Sequence, residues 1–446
     1  MKFIPNTPVK DAMLHEIGLT SIDDLFADIP PQLRTHGLTL PAGKSQQDVE
    51  THLRTLATHN KSFYDLPSFL GGGIKPHYLP AAVKAVISRS EFYTAYTPYQ
   101  PEASQGFLQA IFEYQSMIAD ITGMDIANAS LYDGATAVGE AALMAARITK
   151  KKTILIPANL SWEKKSILKN YTHGAGITTT EIAYDTHTGT LNLDALTKHL
   201  TNDIAAVYIE NPNYFGIFEE HIHDITNHAH AKDALAIVSI DPLTLGIIQS
   251  PGEYGADIVI GEGKALGNPM DFGGSTLGIL ACRQDYIRQL PGRIIGMTKD
   301  QDGHTAYCMT FSTREQHIRR EKATSNICTN EGLNMLATAV HLAWLGSTGL
   351  TELGTRNLQA GHDLKKAITT IKGYTAPFTG TTFNEFIIHH PNAKQINVSL
   401  LQKGIQGGLL LEPWFPDLKD TILFGVTELH TPDHIKRLLN ALPEVA

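Results

Sequence analysis

The chain has 446 residues, 42% of them apolar, and a formal charge of −9. That length exceeds one small domain and supplies ample apolar surface for a buried core. The acidic balance argues against a nucleic-acid or anionic-membrane surface, no run approaches the ~20 apolar residues that span a bilayer, and three cysteines (Cys282, Cys308, Cys328) without ligand spacing argue against a disulfide framework. The start MKFIPNTPVK carries no apolar leader, so a cytoplasmic, reducing setting is expected.

Residues 1–65 read as a helical lead-in: a short helical pattern from Pro8 to Glu16, a capped start at Ser21, and a polar helix from Ser45 to Asn60 with Val49, Leu53 and Leu56 on one face. This piece is too thin for a core of its own and is expected to wrap the body or a partner. Leu66 to Pro80 is a glycine-rich connection whose three consecutive glycines permit positive φ and close approach. A site loop and a plain turn both fit it, and His77 within it is a candidate proton carrier or a structural histidine.

The stretch from Ser90 to Ala145 organises the rest. Its first part is aromatic and broken by proline: Phe92, Tyr93, Tyr96, Pro98, Tyr99 and Pro101. A helix follows, with Leu108, Ile111, Phe112, Gln115 and Ile118 at helical spacing, stopped by Thr122-Gly123. The turn Asp133-Gly134-Ala135-Thr136 then feeds a second, alanine-rich helix. Such a turn presents free N–H groups and a positive dipole end, which suits a phosphate or carboxylate, although an ordinary cap has the same composition.

From Lys152 short apolar runs alternate with helices: strands at 153–157, 177–184, 204–210, 235–241, 258–261 and 276–282, with helices at 161–171, 193–200 and 222–231. This predicts a mainly parallel sheet buried on both faces, with any site beyond the carboxyl ends of the strands. Those ends carry Asn159, Asn211, Asn213, Tyr214, Asp241 and Gly261-Glu262-Gly263-Lys264. Gly292 to Ala323 is a basic, polar segment, read as a solvated or partner-facing loop. A long helix at 330–345 leads to a smaller α/β region. The predicted organisation is a lead-in at 1–65, a large domain at 66–330 and a small carboxy-terminal α/β domain at 331–446.

FYTAYTPYQPEASQG, FEYQSMIADITGMDIANASLYDGATA, FLGGGIKPHYLP, GADIVIGEGKALGNPMDFGGSTLG and the opening FIPNTPVKDAMLHEIGLTSIDDLFADIP together resemble the P-protein of the glycine cleavage system. The likeness is to the first (alpha) subunit of the two-chain form, glycine dehydrogenase (decarboxylating) subunit 1, and runs through nearly the whole chain. It implies a fold-type-I pyridoxal-phosphate (PLP) transferase-like α/β fold. It also implies work with subunit 2 (beta), as an α2β2 assembly, to decarboxylate glycine on PLP and pass the aminomethyl group to the lipoyl arm of H-protein.

The resemblance implies that the partner subunit holds the cofactor. It places Tyr96, Tyr99, Gln100, Glu102, Ser104 and Gln105 at the subunit interface, with His77 near the entrance. Asp133, Gly134, Ala135 and Thr136 lie where a phosphate turn belongs. Lys264 stands where the first subunit usually has another residue, often glutamine, and Asp241-Pro242 departs from the Asp-Gly-Ala-Asn run of the second subunit. Two roles for Lys264 stay open: a lysine outside the chemistry, or an internal-aldimine lysine. With the second, the chain is a self-sufficient PLP lyase or aminotransferase. A third alternative is a non-catalytic scaffold subunit.

Overall fold

Side-chain caps set the first helices. Ser21 accepts the N–H of Asp23 at 3.0 Å while the Asp24 carboxylate accepts the N–H of Ser21 at 2.7 Å, a reciprocal capping pair. Ser45 likewise accepts from Asp48. In this computed structural model, which describes residues 7–35, 37–327 and 329–445, the opening unit ends at Lys61. It holds α1 (Lys10–Glu16) and α2 (Gln46–Ala57). Residues 1–6, which begin the FIPNTPVK opening, and Cys328 lie outside the described residues.

The second unit starts at Ser62. It opens with α3 (Ala81–Ile87) and α4 (Ser90–Tyr93), passes through the proline-broken aromatic stretch, and enters α5 (Gln105–Thr122). Gly123 ends α5 at φ 65°, a left-handed cap that glycine adopts without strain. Next come β1 (Ile126–Ala127), α6 (Gly134–Thr149), β2 (Thr153–Pro157), α7 (Trp162–His173), β3 (Thr178–Ile182) and α8 (Leu193–His199). Then follow β4 (Ile204–Asn211), α9 (Ile222–His230), β5 (Leu235–Ile240), β6 (Ile258–Glu262) and β7 (Gly278–Cys282).

These strands form one sheet in the order β1-β7-β6-β5-β4-β2-β3. The five strands β3, β2, β4, β5 and β6 run parallel; at one edge β7 adds antiparallel to β6, and β1 antiparallel to β7. Every residue of β4 and β5 is buried. Alternate residues serve opposite faces: Val207 and Ile209 join the core beneath α5 and α9, whereas Ala206 and Tyr208 join the core beneath α6 and α7. This is why the strands read as continuous apolar runs.

The segment read as a basic loop contains a hairpin, β8 (Ile294–Lys299) and β9 (Thr305–Thr310), followed by α10 (Gln316–Arg319). Two glutamines of α5 act as extra ladder partners for it. Gln115 exchanges two bonds with the backbone of Ile295 (3.0 and 2.9 Å), and Gln105 does the same with Tyr307 (2.8 and 2.8 Å). These side-chain bonds come from another element, so local composition carries no trace of them.

A long helix, α11 (Gly332–Thr369), is interrupted at Gly346 (φ 60°, ψ −173°). A second, antiparallel sheet closes the unit: β10 (Glu385–His389), α12 (Ala393–Gln402), β11 (Leu409–Leu410), β12 (Thr421–Gly425) and α13 (Pro432–Val445), with strand order β10-β12-β11. Its core holds Phe386, Phe424, Ile396, Leu400 and Leu438. The glycine-rich connection is tied to this sheet, since Phe69 donates to Gln406 and accepts from Gly425, both at 2.9 Å.

Candidate functional site

Carboxylates at the ends of parallel strands meet lysines brought in by a loop (Lys75) and by α7 (Lys164). A cavity of about 110 Å³ opens beyond β4, β5 and β6, lined by Glu210, Asp241 and Glu262 from the strand ends and by Lys75, His77 and Lys164 from outside the sheet. Most of its charges are already paired. Lys75 lies 3.0 Å from Glu385, whose other oxygen accepts the N–H groups of Gly72 (2.6 Å) and Gly73 (3.0 Å). Burial pushes the Glu385 carboxyl up, but the Lys75 ammonium and the two N–H groups outweigh it and hold it below its ordinary value. Lys164 pairs with Glu210 at 2.5 Å, and the Tyr208 hydroxyl donates to the same oxygen at 2.9 Å.

His77 points at Glu428, with Nδ1 3.0 Å from Oε2. Glu428 also accepts the N–H of Tyr78 (2.7 Å) and the amide of Asn357 (3.0 Å). Burial raises the Glu428 carboxyl, but these partners, led by His77, outweigh that and hold it at about 2. His77 is thus fixed in a hydrogen-bonded position at the cavity rim.

The turn Asp133-Gly134-Ala135-Thr136 does cap a helix. Asp133 precedes α6 and its Oδ1 accepts the N–H of Thr136 at 2.6 Å. The donor nest beside it is filled from within the chain. Glu262 Oε2 accepts the N–H of Gly134 at 2.9 Å, while Oε1 accepts those of Lys264 and Leu277, each at 2.9 Å. A side chain at position 134 would meet Glu262 Cβ at 3.0 Å, which is why glycine stands there. Burial pushes the Glu262 carboxyl up, and nearby Asp133 adds to this, against the three N–H bonds.

Lys264 is 4% exposed. Its Nζ donates to the carbonyls of Pro269 (2.6 Å), Ser275 (3.4 Å) and Gly274. Burial lowers its pKa, opposed by Glu262 and Asp271. The ammonium therefore braces the loop 269–275, in which Asp271, Phe272 and Ser275 all have positive φ. Asp241 uses Oδ1 to cap its own turn, accepting from Leu243 at 3.0 Å.

The aromatic stretch lies apart from this cavity. Tyr96 is 79% exposed, and Gln100 and Glu102 are exposed as well. Tyr99 stands over Arg293 and lines a separate groove. Ser104 is half-buried before α5, and Gln105 is occupied by Tyr307. His77 and Lys264 thus share one cavity, Asp133 and Gly134 reach it through Glu262, and the tyrosines belong to another face. Reading the chain missed Lys75 and Glu385. Lys75 sits two residues after the glycine run that drew attention, but its partner Glu385 is 310 positions away, beyond any local pattern.

The cofactor of this fold class does not fit these residues. A phosphate at the start of α6 would have to displace Glu262 and lie beside Asp133, and the Lys264 amine is enclosed by carbonyls.

Comparison with known proteins places this geometry. The family model described as glycine cleavage system P-protein matches residues 1–442. A protein named "Probable glycine dehydrogenase (decarboxylating) subunit 1" from Thermococcus onnurineus is 48% identical over 447 residues, covering 100% of this chain and 99% of that one. Its namesake from Thermococcus kodakarensis is 49% identical over 446 residues, covering 99% and 98%. Among solved structures, an inhibitor-bound glycine decarboxylase (P-protein) of the glycine cleavage system superposes with a TM-score of 0.91 at 37% identity, covering 100% of both chains. A sphingosine-1-phosphate lyase from Burkholderia pseudomallei, at 15% identity and TM-score 0.68 over 94% of both chains, shares the fold. The expected fold-type-I α/β architecture is therefore present, and the chain belongs to the glycine cleavage system P-protein family.

Proposed function

We propose that this chain is the first subunit of a two-chain glycine decarboxylase, and that its partner, the second (beta) subunit, holds the PLP. In the assembled α2β2 enzyme glycine loses CO2 and the aminomethyl group passes to the lipoyl group of H-protein. The observation that carries the division of labour is Glu262: its carboxylate occupies the donor nest at the start of α6. A dianionic phosphate in that nest would face an uncompensated buried charge. The anchored Lys264 supports the same reading, because its amine already makes three hydrogen bonds to carbonyls.

On this reading the chain's own residues bind and orient. The exposed Tyr96 and Tyr99, with Gln100 and Glu102, form an amphipathic surface suited to the partner. Gln105 and Gln115 hold the β8–β9 hairpin beneath that surface. Ser104 completes that surface, while His77, fixed by Glu428, stands at the separate strand-end cavity.

Absorbance spectra of the chain purified alone with added PLP, followed by borohydride reduction and peptide mapping, test this. The expected result is no adduct at Lys264, and glycine decarboxylation only after the second chain and H-protein are added. A reduced pyridoxyl adduct confined to Lys264 would overturn it in favour of a self-sufficient PLP enzyme.

A further inference from the structure

Close to the break of α11 at Gly346 lies a second cavity, of about 410 Å³. His341, Trp344, Leu345 and Leu353 of α11 line it, together with Tyr78 and Leu429. His77 and Ala265 line both this cavity and the strand-end cavity, so the two lie back to back. The lining is mainly aromatic and aliphatic, and both large rings stand open to a ligand: Trp344 is 55% exposed and Tyr78 54%.

His341 is the polar group that this setting leaves over. It is 2% exposed, and its Nδ1 has no hydrogen-bond partner among the described residues. Its ring stacks on Trp344, with centroids 6.3 Å apart and planes 14° from parallel. From the loop after Lys264, Gly267 presses on its stem, since a side chain at 267 would meet His341 Cβ at 2.7 Å. Burial, with His77 adding to it, pushes the imidazole down to about 4 against the pull of Glu428, so the ring is neutral at pH 7. A neutral imidazole offers one N–H and one lone pair, and a buried polar atom left unpaired is destabilising.

The charges around the cavity have partners already. Glu352 pairs with Arg356 one turn on. Glu428 is taken by His77, by the Tyr78 N–H and by Asn357. A charged ligand would therefore find no free counter-charge in an apolar setting. Benzene needs a cavity of only about 150 Å³, so the space admits a molecule of more than one ring. A concave, mostly apolar wall with a single polar group to fix orientation is the usual form of a small-molecule site.

We propose that this cavity binds a small, neutral, planar aromatic molecule, which packs against Trp344 and Tyr78 and meets the His341 ring with one hydrogen-bonding atom on its edge. This site is separate from the strand-end cavity and does not depend on which subunit holds the cofactor.

Indole and indene, equal in shape but differing in the N–H, are the probes. Each is titrated by NMR into the full-length chain at pH 7, as wild type, His341→Phe and Trp344→Ala. Wild type is expected to bind indole saturably and indene about tenfold or more weakly, a difference of ~1.4 kcal/mol. His341→Phe, which keeps a ring on Trp344 but has no ring nitrogen, should bind the two alike. Trp344→Ala, at an exposed position, should weaken both. No saturable binding of indole by wild type, or equal binding of indole and indene, overturns the proposal even if His341→Phe fails to fold. Unchanged indole binding in Trp344→Ala would place the probe elsewhere and overturn it as well. Binding should persist when the second chain is added. Its loss on assembly would make the cavity a contact for a side chain of the partner, and the small-molecule site would fall.

Discussion

Glu262 accepts, at 2.9 Å, the first N–H of the helix that begins at Gly134. One carboxylate thereby joins β6 to the start of α6, and its second oxygen ties in Lys264 and Leu277. Removing it leaves three N–H groups without an acceptor, each worth ~1–3 kcal/mol when buried. Relief of the buried charge offsets part of this, so Glu262→Ala is expected to destabilise the chain by roughly 2–4 kcal/mol. The emptied nest should then accept an outside anion. Phosphate, compared with chloride at matched ionic strength, should raise the melting temperature of the variant more than that of wild type. Equal phosphate effects on the two proteins would show that the nest does not hold anions.

Glu219 gives a pH test of sign. It is buried, its Oε2 accepts the Leu191 N–H at 2.8 Å, and Oε1 has no partner among the described residues. Burial, with Glu220 nearby, pushes its carboxyl from 4.5 up to about 7. Below 4.5 the group is neutral in the folded and unfolded chain alike. Between 4.5 and about 7 the unfolded chain ionises first, so this group's contribution to stability declines as pH rises and levels off above 7. The full decline is roughly 3 kcal/mol at ~1.4 kcal/mol per pH unit. The buried rings of His341 and His430, pushed by burial from 6.5 down to about 4, act in the opposite sense. The difference between wild type and Glu219→Gln isolates the carboxyl: the variant should gain in urea midpoint from pH 5 to about 7 and hold that gain to pH 8. A constant difference across that range contradicts the assignment.

Lys75 and Glu385 form a buried pair whose halves need each other. Lys75→Met leaves the Glu385 carboxylate with only the Gly72 and Gly73 N–H groups, and loss of one partner from such a pair costs about 3–5 kcal/mol. Adding Glu385→Gln to Lys75→Met should recover more than half of that loss. Chemical denaturation of the two single variants and the double variant measures the coupling. Simple additivity would mean that the pair is held by its backbone bonds alone.

The sheet was legible because its strands are buried on both sides: β2, β4, β5 and β6 stand out as unbroken apolar runs between helices. The β8–β9 hairpin was not, because Gly296, Thr298, Lys299 and Thr305 dilute its pattern and glutamine side chains from α5 complete its ladder. The same limit applies to the site. Asp133 was readable as a cap because its partner Thr136 is three residues on. That the adjoining nest is filled by Glu262, 128 positions later, depends on the sheet bringing β6 beneath α6. Lys264 looked like a candidate aldimine lysine from its place after a strand, and only the carbonyls of the following loop reveal its other use.

Lys264 should therefore be needed by the loop it holds. Phe272 in that loop is 96% exposed, and Asp271, Phe272 and Ser275 have φ of 37°, 56° and 51°, conformations that cost ~1–3 kcal/mol each outside glycine. Three carbonyl bonds from one ammonium offset that strain. Glutamine in place of Lys264 can reach at most one or two of these carbonyls and carries no charge. Lys264→Gln is expected to speed hydrogen exchange of the amides of residues 271–276 about tenfold or more, a local opening shift of ~1.4 kcal/mol, while amides of β4 and β5 keep their protection. In the assembled enzyme the variant should retain PLP, because the proposed cofactor site lies in the other chain. Unchanged exchange in the loop would show that its carbonyls are held by other groups, and loss of PLP with the loop unaltered would return Lys264 to the chemistry.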